Sequence, residues 1–265
     1  MKNENQLYSN ILGNENCPVL IMLHGWGHTH AKLLPMGNLL KDQFYIHLID
    51  LPGFGETPLP SESIESITAW DTYRYAEEII AYMDTKNIKS ATILGHSFGG
   101  RICLQLASKF SERVNDVILI DSAGLKPIRN FKSRIRFSKI KFIGVNIHLL
   151  KTFISNNTFQ KLNNWYSNKY GSTDFKNAGE LKQVLIKTVT ENLEENAKMI
   201  KKKTLILWGE NDTSTPLYMA KLLHYYIINS TLVVLKNKGH EPFTGLGSHL
   251  CVYHINNFLN KMKND

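Results

Sequence analysis

Short apolar runs rich in β-branched residues alternate along this chain with amphipathic segments of helical length, and no other feature limits the fold as much. Runs at 18–23, 43–49, 90–94, 117–120, 204–208 and 231–235 read as strands. Between them, residues 68–86 bring Ala69, Tyr73, Ala76, Ile80 and Met83 round at helical spacings, and 98–110, 217–228 and 248–262 also read as helices. Strands that alternate with helices build a parallel sheet covered on both faces. The runs at 90–94 and 117–120 suit strands buried on both sides. The expected class is therefore α/β, a doubly wound, mostly parallel sheet.

The alternation stops near residue 125. Helical periodicity takes over at 134–154 and 181–200, with a polar Asn/Ser/Gly stretch at 155–179 between them. A core of residues 1–124 and 203–265, split around a helical cap insertion at 125–202, is the expected organisation. Hydrophobic residues at 43% and charged residues at 20% leave enough apolar surface for a sizeable core and argue against global disorder. The polar opening Met1-Lys2-Asn3-Glu4-Asn5-Gln6 leads into no leader-like apolar run, so a cytoplasmic location is expected. Nor does any stretch reach the roughly 18 apolar residues a membrane span needs.

Three cysteines, Cys17, Cys103 and Cys251, are odd in number and far apart, which fits reduced packing residues and not a disulfide or zinc framework. No metal and no cofactor is expected; His28 and His30 look only superficially like a metal pair. Net charge is +8, with 17 Lys and Arg against 5 Asp and Glu in 125–203, hence +12 there and −4 elsewhere. A basic block can attract nucleic acid or anionic lipid, yet no nucleic-acid-binding signature accompanies it, so no nucleic-acid partner is expected.

Chemistry concentrates where strands give way to loops. Gly95-His96-Ser97-Phe98-Gly99 lies where a buried strand meets a helix, the context in which Gly-x-Ser-x-Gly signifies an exposed nucleophile on a sharp turn. A serine hydroxyl needs a base, and the base needs an orienting carboxylate. Asp212 follows the strand at 204–208 and His240 the strand at 231–235, both just beyond strand C-termini that a parallel sheet gathers on one edge with Ser97. Glu210 and Asp121 compete with Asp212 for the acid role. The Phe98 N–H, at the helix start, is the first candidate oxyanion donor; the Trp26 N–H, in His24-Gly25-Trp26-Gly27, is the second. His24 can also brace that loop through hydrogen bonds.

Taken with Asp50-Leu51-Pro52-Gly53-Phe54-Gly55, these motifs resemble the α/β-hydrolase superfamily over about 17–124 and 203–262. Within it, the His-Gly-Trp-Gly loop is similar to that of small carboxylesterases such as the pimeloyl-ester carboxylesterase of biotin synthesis. The resemblance implies a serine hydrolase cleaving a small carboxylic ester through an acyl-enzyme, with Ser97, Asp212 and His240 catalytic and the Trp26 and Phe98 N–H groups holding the oxyanion. Gly100-Arg101 after the nucleophile is similar instead to the elimination enzyme of menaquinone synthesis. Hence the alternatives are elimination or C–C bond hydrolysis on the same residues, with Arg101 either binding a substrate carboxylate or serving structure, and, in another class, a noncatalytic ligand-binding member of the fold. The first 16 residues look short for the superfamily's opening hairpin, which leaves the first strand weak or missing.

One pattern in the insertion stands apart. Phe131, Ile135, Phe142, Val145, Leu149 and Phe153 fall near helical spacing among Lys132, Arg134, Arg136, Lys139, Lys141 and Lys151. Such a face is expected to close over the site with its lysines in water; the alternative is weak contact with an anionic membrane.

Overall fold

The computed structural model describes residues 7–59, 68–127 and 138–261, except 139–141, 144, 148 and 171. Among the described residues seven strands form one sheet: β1 (Ser9–Leu12), β2 (Val19–Leu23), β3 (Tyr45–Ile49), β4 (Ala91–His96), β5 (Val114–Ile120), β6 (Thr204–Gly209) and β7 (Ser230–Leu235). Their order is β1-β3-β2-β4-β5-β6-β7, with β1 antiparallel to β3 and every other pair parallel. This is the doubly wound α/β class. The opening strand exists, four residues long on the sheet edge, where Ser9 pairs with Ile49 and Leu12 with Ile46.

Side-chain alternation along each central strand divides the interior into two cores. Ile21, Leu23, Ile93, Val117, Leu119, Ile206 and Trp208 point to one side, with helices α2 (Thr72–Thr85), α3 (Phe98–Lys109) and α8 (Tyr218–Tyr226). Leu20, Met22, Leu94, Ile118, Ile120, Leu205 and Leu207 point to the other, with α1 (Leu34–Leu40) and α9 (Gly247–Lys261). Period-2 alternation in which both faces are apolar is what a parallel sheet sandwiched by helices demands.

The helix expected from residue 68 begins at Thr72, because the Asp71 carboxylate accepts the Arg74 N–H at 2.8 Å and caps it there. Between β5 and β6 the described residues include the helices α4 (Asn156–Tyr170), α5 (Thr173–Asn177), α6 (Lys182–Thr190) and α7 (Glu194–Met199). The polar stretch at 155–179 is thus mostly helix, not a separator. Asparagine disfavours helix by under about 0.7 kcal/mol per residue, a cost that caps offset: Ser155 Oγ accepts from Thr158 N, and Ser172 Oγ from Phe175 N. The single helix expected at 181–200 is instead two, broken at Glu191, whose backbone is extended and whose carboxylate accepts both the N–H and the hydroxyl of Thr72. A tertiary contact to α2 has overridden the local periodicity.

Of the amphipathic pattern at 131–153, Phe131, Ile135, Lys132, Arg134, Arg136, Lys139 and Lys141 lie outside the described residues. Phe142, Val145, Leu149 and Phe153 are described, and all four are exposed. That departs from an apolar face turned inward over the site.

Candidate active site

The strands on either side of the reversal in sheet order, β2 and β4, leave a crevice at their C-terminal ends, and Ser97 sits there as the residue between β4 and α3. Its backbone lies at φ 51°, ψ −108°, sparsely populated for a residue bearing a side chain. The neighbours tolerate no alternative. A Cβ at Gly95 would stand 2.4 Å from the Gly99 carbonyl oxygen, and one at Gly99 only 2.3 Å from the Leu23 oxygen, so both glycines are needed for β4, α3 and β2 to cross this closely.

From that turn a hydrogen-bonded chain runs across the sheet edge. Ser97 Oγ is 3.0 Å from His240 Nε2, and His240 Nδ1 is 2.8 Å from Asp212 Oδ2. Asp212 is buried, yet it accepts from Ser214 N at 2.7 Å, from Thr215 N at 2.9 Å and from Thr215 Oγ1 at 2.6 Å. Burial opposes its charge, but the hydrogen bonds from His240 and Thr215 outweigh that and hold its pKa down at about 2. The structure therefore brings Ser97, His240 and Asp212 together.

Of the two competing acids, Glu210 points elsewhere, accepting from Asn237 N. Asp121 lies at the end of β5, fully buried with a left-handed backbone; Oδ1 accepts the Gly209 N–H at 2.8 Å, and its carboxyl lies close enough to Asp212 to feel that residue's charge. Burial, with the Asp212 charge nearby, pushes its pKa up to about 9, so it stands protonated at neutral pH.

The His24–Gly27 loop lies against the serine turn: a Cβ at Gly25 would be 3.4 Å from Ser97 Cβ. His24 braces this loop. Its Nε2 accepts the Leu51 N–H at 3.0 Å, so Nδ1 carries the proton and donates to the Gly25 carbonyl at 2.8 Å. Burial holds its pKa down at about 4 and keeps it neutral. Among the described residues neither the Trp26 nor the Phe98 N–H donates to a protein group. Their rings meet edge to face at 5.3 Å, and Phe54 and Tyr75 complete an aromatic wall.

Among the described residues Arg101 makes no side-chain hydrogen bond to Ser97, His240 or Asp212. It is buried in the first turn of α3, with Nη1 directed at the Glu191 carbonyl at 3.4 Å. His28 and His30 diverge to separate carboxylates, Glu241 and Asp50. Two residues escaped the sequence reading. Thr215 shares its hydroxyl with Asp212, and its only signal was a position three residues beyond the acid. His96, inside the pentapeptide, donates Nε2–H to the His240 carbonyl at 2.8 Å and so ties the base loop to the nucleophile turn.

With this geometry in view, comparison with known proteins decides the family. A family model described as the alpha/beta hydrolase fold matches residues 18–244. The chain belongs to the α/β-hydrolase fold family. It is 28% identical over 243 residues to a pimeloyl-[acyl-carrier protein] methyl ester esterase of Wigglesworthia glossinidia brevipalpis, covering 84% of this chain and 87% of that one. To Lipase 1 of Psychrobacter immobilis it is 27% identical over 244 residues, covering 87% and 73%. The crystal structure of a membrane phospholipase A superposes with a TM-score of 0.73 at 21% identity, covering 100% of this α/β hydrolase and 89% of that chain, a likeness of fold. The protein is accordingly an enzyme, a hydrolase of this fold related to esterases and lipases.

Proposed function

We propose that this α/β hydrolase cleaves small carboxylic esters through an acyl-enzyme formed on Ser97. The observation that carries the reading is the unbroken run Ser97 Oγ, His240 Nε2, His240 Nδ1, Asp212 Oδ2, mounted on a serine whose backbone is held in a strained conformation. His240 takes the Ser97 proton as the oxygen attacks the ester carbonyl, and the tetrahedral oxyanion is held by the Trp26 N–H of the loop after β2 and by the Phe98 N–H at the positive end of α3. Collapse expels the alcohol, which leaves with the proton from His240; water then attacks the acyl-enzyme with His240 again as base, and the acid departs. Asp212 fixes the imidazole tautomer and stabilises its charged form. The aromatic wall of Trp26, Phe54 and Phe98 supports an apolar acyl or alcohol group beside the nucleophile.

In this proposal residues 125–202 form the cap over a core of 1–124 and 203–265. Arg101 is assigned to structure: its burial, with Nη1 directed at the Glu191 carbonyl, supports that reading and favours ester hydrolysis over elimination. A fluorophosphonate probe tests the mechanism. It should label the wild-type protein at Ser97, and Ser97→Ala should lose both labelling and aryl-ester turnover while keeping its circular dichroism spectrum. Failure to label, or wild-type turnover in Ser97→Ala, rejects the mechanism and favours a noncatalytic binding role.

A further inference from the structure

The segment that departs from an inward-facing lid carries its own chemistry. Its described residues at 142, 143, 145–147 and 149 are helical, and a 3₁₀ turn follows at Leu150–Thr152. Ile147 is buried, at 7% exposure, which identifies the inward side. Phe142, Val145 and Leu149 recur at spacings of three and four on another side, and Phe153 extends the row. Phe142 is 70% exposed, Leu149 65% and Phe153 84%. The helix thus already has a buried side, and the outward row is additional. Water contact with so many large apolar groups in one row is what marks an interaction surface.

Charge says what that row meets. Between Asp121 and Asp174 the chain has ten Lys and Arg and no Asp or Glu. Among the described members, Lys126, Lys151, Lys161 and Lys169 are exposed, and two of them lie over rings: Lys169 Nζ is 5.0 Å from the Trp165 ring centre, and Lys151 Nζ 5.7 Å from that of Phe159. Exposed apolar groups flanked by lysines and interfacial aromatic residues are the makeup of a helix that lies in a bilayer surface. A second copy of the same face would bring like charges together. An acidic protein would satisfy the lysines but would need a groove shaped for a convex row of Phe and Leu, whereas fluid acyl chains need none. Among the described residues no helix is long and apolar enough to cross a membrane, so contact would be peripheral.

We propose that the outer face of residues 142–153 docks this hydrolase on anionic lipid surfaces. Phe142, Leu149 and Phe153 enter the headgroup region, and Lys151, Lys161 and Lys169 hold anionic headgroups.

Flotation with vesicles tests this on the 265-residue chain. The wild type should float with phosphatidylcholine vesicles containing about a third phosphatidylglycerol and stay behind with pure phosphatidylcholine. Raising salt from about 0.1 M to about 1 M shortens the screening length from ~10 to ~3 Å and should release it. The triple substitution Phe142→Ser, Leu149→Ser and Phe153→Ser should lower binding at least tenfold and leave turnover of a water-soluble aryl ester unchanged. Lys151→Glu with Lys161→Glu should also weaken binding, through charge alone. Equal binding to neutral and anionic vesicles, or none to either, overturns the proposal. So does sedimentation showing a dimer that the triple substitution dissolves, or capture of an acidic carrier protein without lipid binding.

Discussion

The sheet edge that carries Ser97 and the helices between β5 and β6 use the same residue types to opposite ends. At the edge, position is everything. Gly95 and Gly99 exist to let backbones touch, Ser97 stands in a conformation its neighbours impose, and Asp212 spends its buried charge on hydrogen bonds from Thr215, Ser214 and His240. In the first part of that helical region large apolar side chains such as Phe142, Leu149 and Phe153 face water, and between Asp121 and Asp174 ten Lys and Arg stand in a sequence without acids. Composition matters there and exact placement much less. The first region should tolerate few substitutions, and the exposed faces of the second many.

The largest effect that would break this contrast belongs to the acid. Asp212→Asn retains shape but gives His240 the wrong hydrogen-bond partner, and kcat for an aryl ester should fall about 10⁴-fold with KM little changed. A fall below tenfold would remove Asp212 from the proposed mechanism. Next comes Gly99→Ala, which puts a methyl group against the Leu23 carbonyl oxygen. It should cost about 3 kcal/mol of stability or prevent folding, as read by denaturant midpoint.

Asp121→Asn sharpens the comparison between two buried acids a few residues from one another in space. Asp121 is protonated in the fold, with a pKa near 9 against 3.8 ordinarily. A carboxyl whose folded pKa is raised contributes its full stability below about pH 4 and loses it progressively as pH rises toward 9. The neutral amide does not titrate, so wild type should lose thermal stability between pH 5 and pH 9 relative to Asp121→Asn, and kcat at neutral pH should change by less than about tenfold. Asp212 has the opposite sign. Its depressed pKa means its contribution is present above 3.8 and fades as pH drops toward 2.

The same contrast governs what the sequence disclosed. Strand periodicity, the Gly-x-Ser-x-Gly turn and the loop positions of Asp212 and His240 are local signals, and a parallel sheet converts strand ends into one edge without further information. What pairs a particular acid with His240 is not local: Asp121 and Asp212 both follow strands, and they part through the three donors that face Asp212 and the burial that keeps Asp121 neutral. His96 was hidden for the same reason, since its partner is a carbonyl 144 residues away. In the helical region the period gave helices but not their ends. Glu191 breaks a run that looks continuous because Thr72, on another element, takes its carboxylate. Nor can a helical period tell an inward face from an outward one when both are apolar, as at Ile147 and Leu149.

The smallest effect is therefore the most telling. Leu207, at 0% exposure in β6, and Phe153, at 84%, are both large apolar residues. Leu207→Ala should cost about 2–5 kcal/mol, because it empties a site that the surrounding strands cannot collapse to fill. Phe153→Ser should change stability by less than about 0.5 kcal/mol, since its ring gains little from the fold and the serine loses nothing in water. Urea denaturation of both variants reads the difference directly. A cost above about 1.5 kcal/mol for Phe153→Ser would mean that the ring packs on this chain in solution, turning the face inward as a lid and withdrawing the surface it offers to lipid.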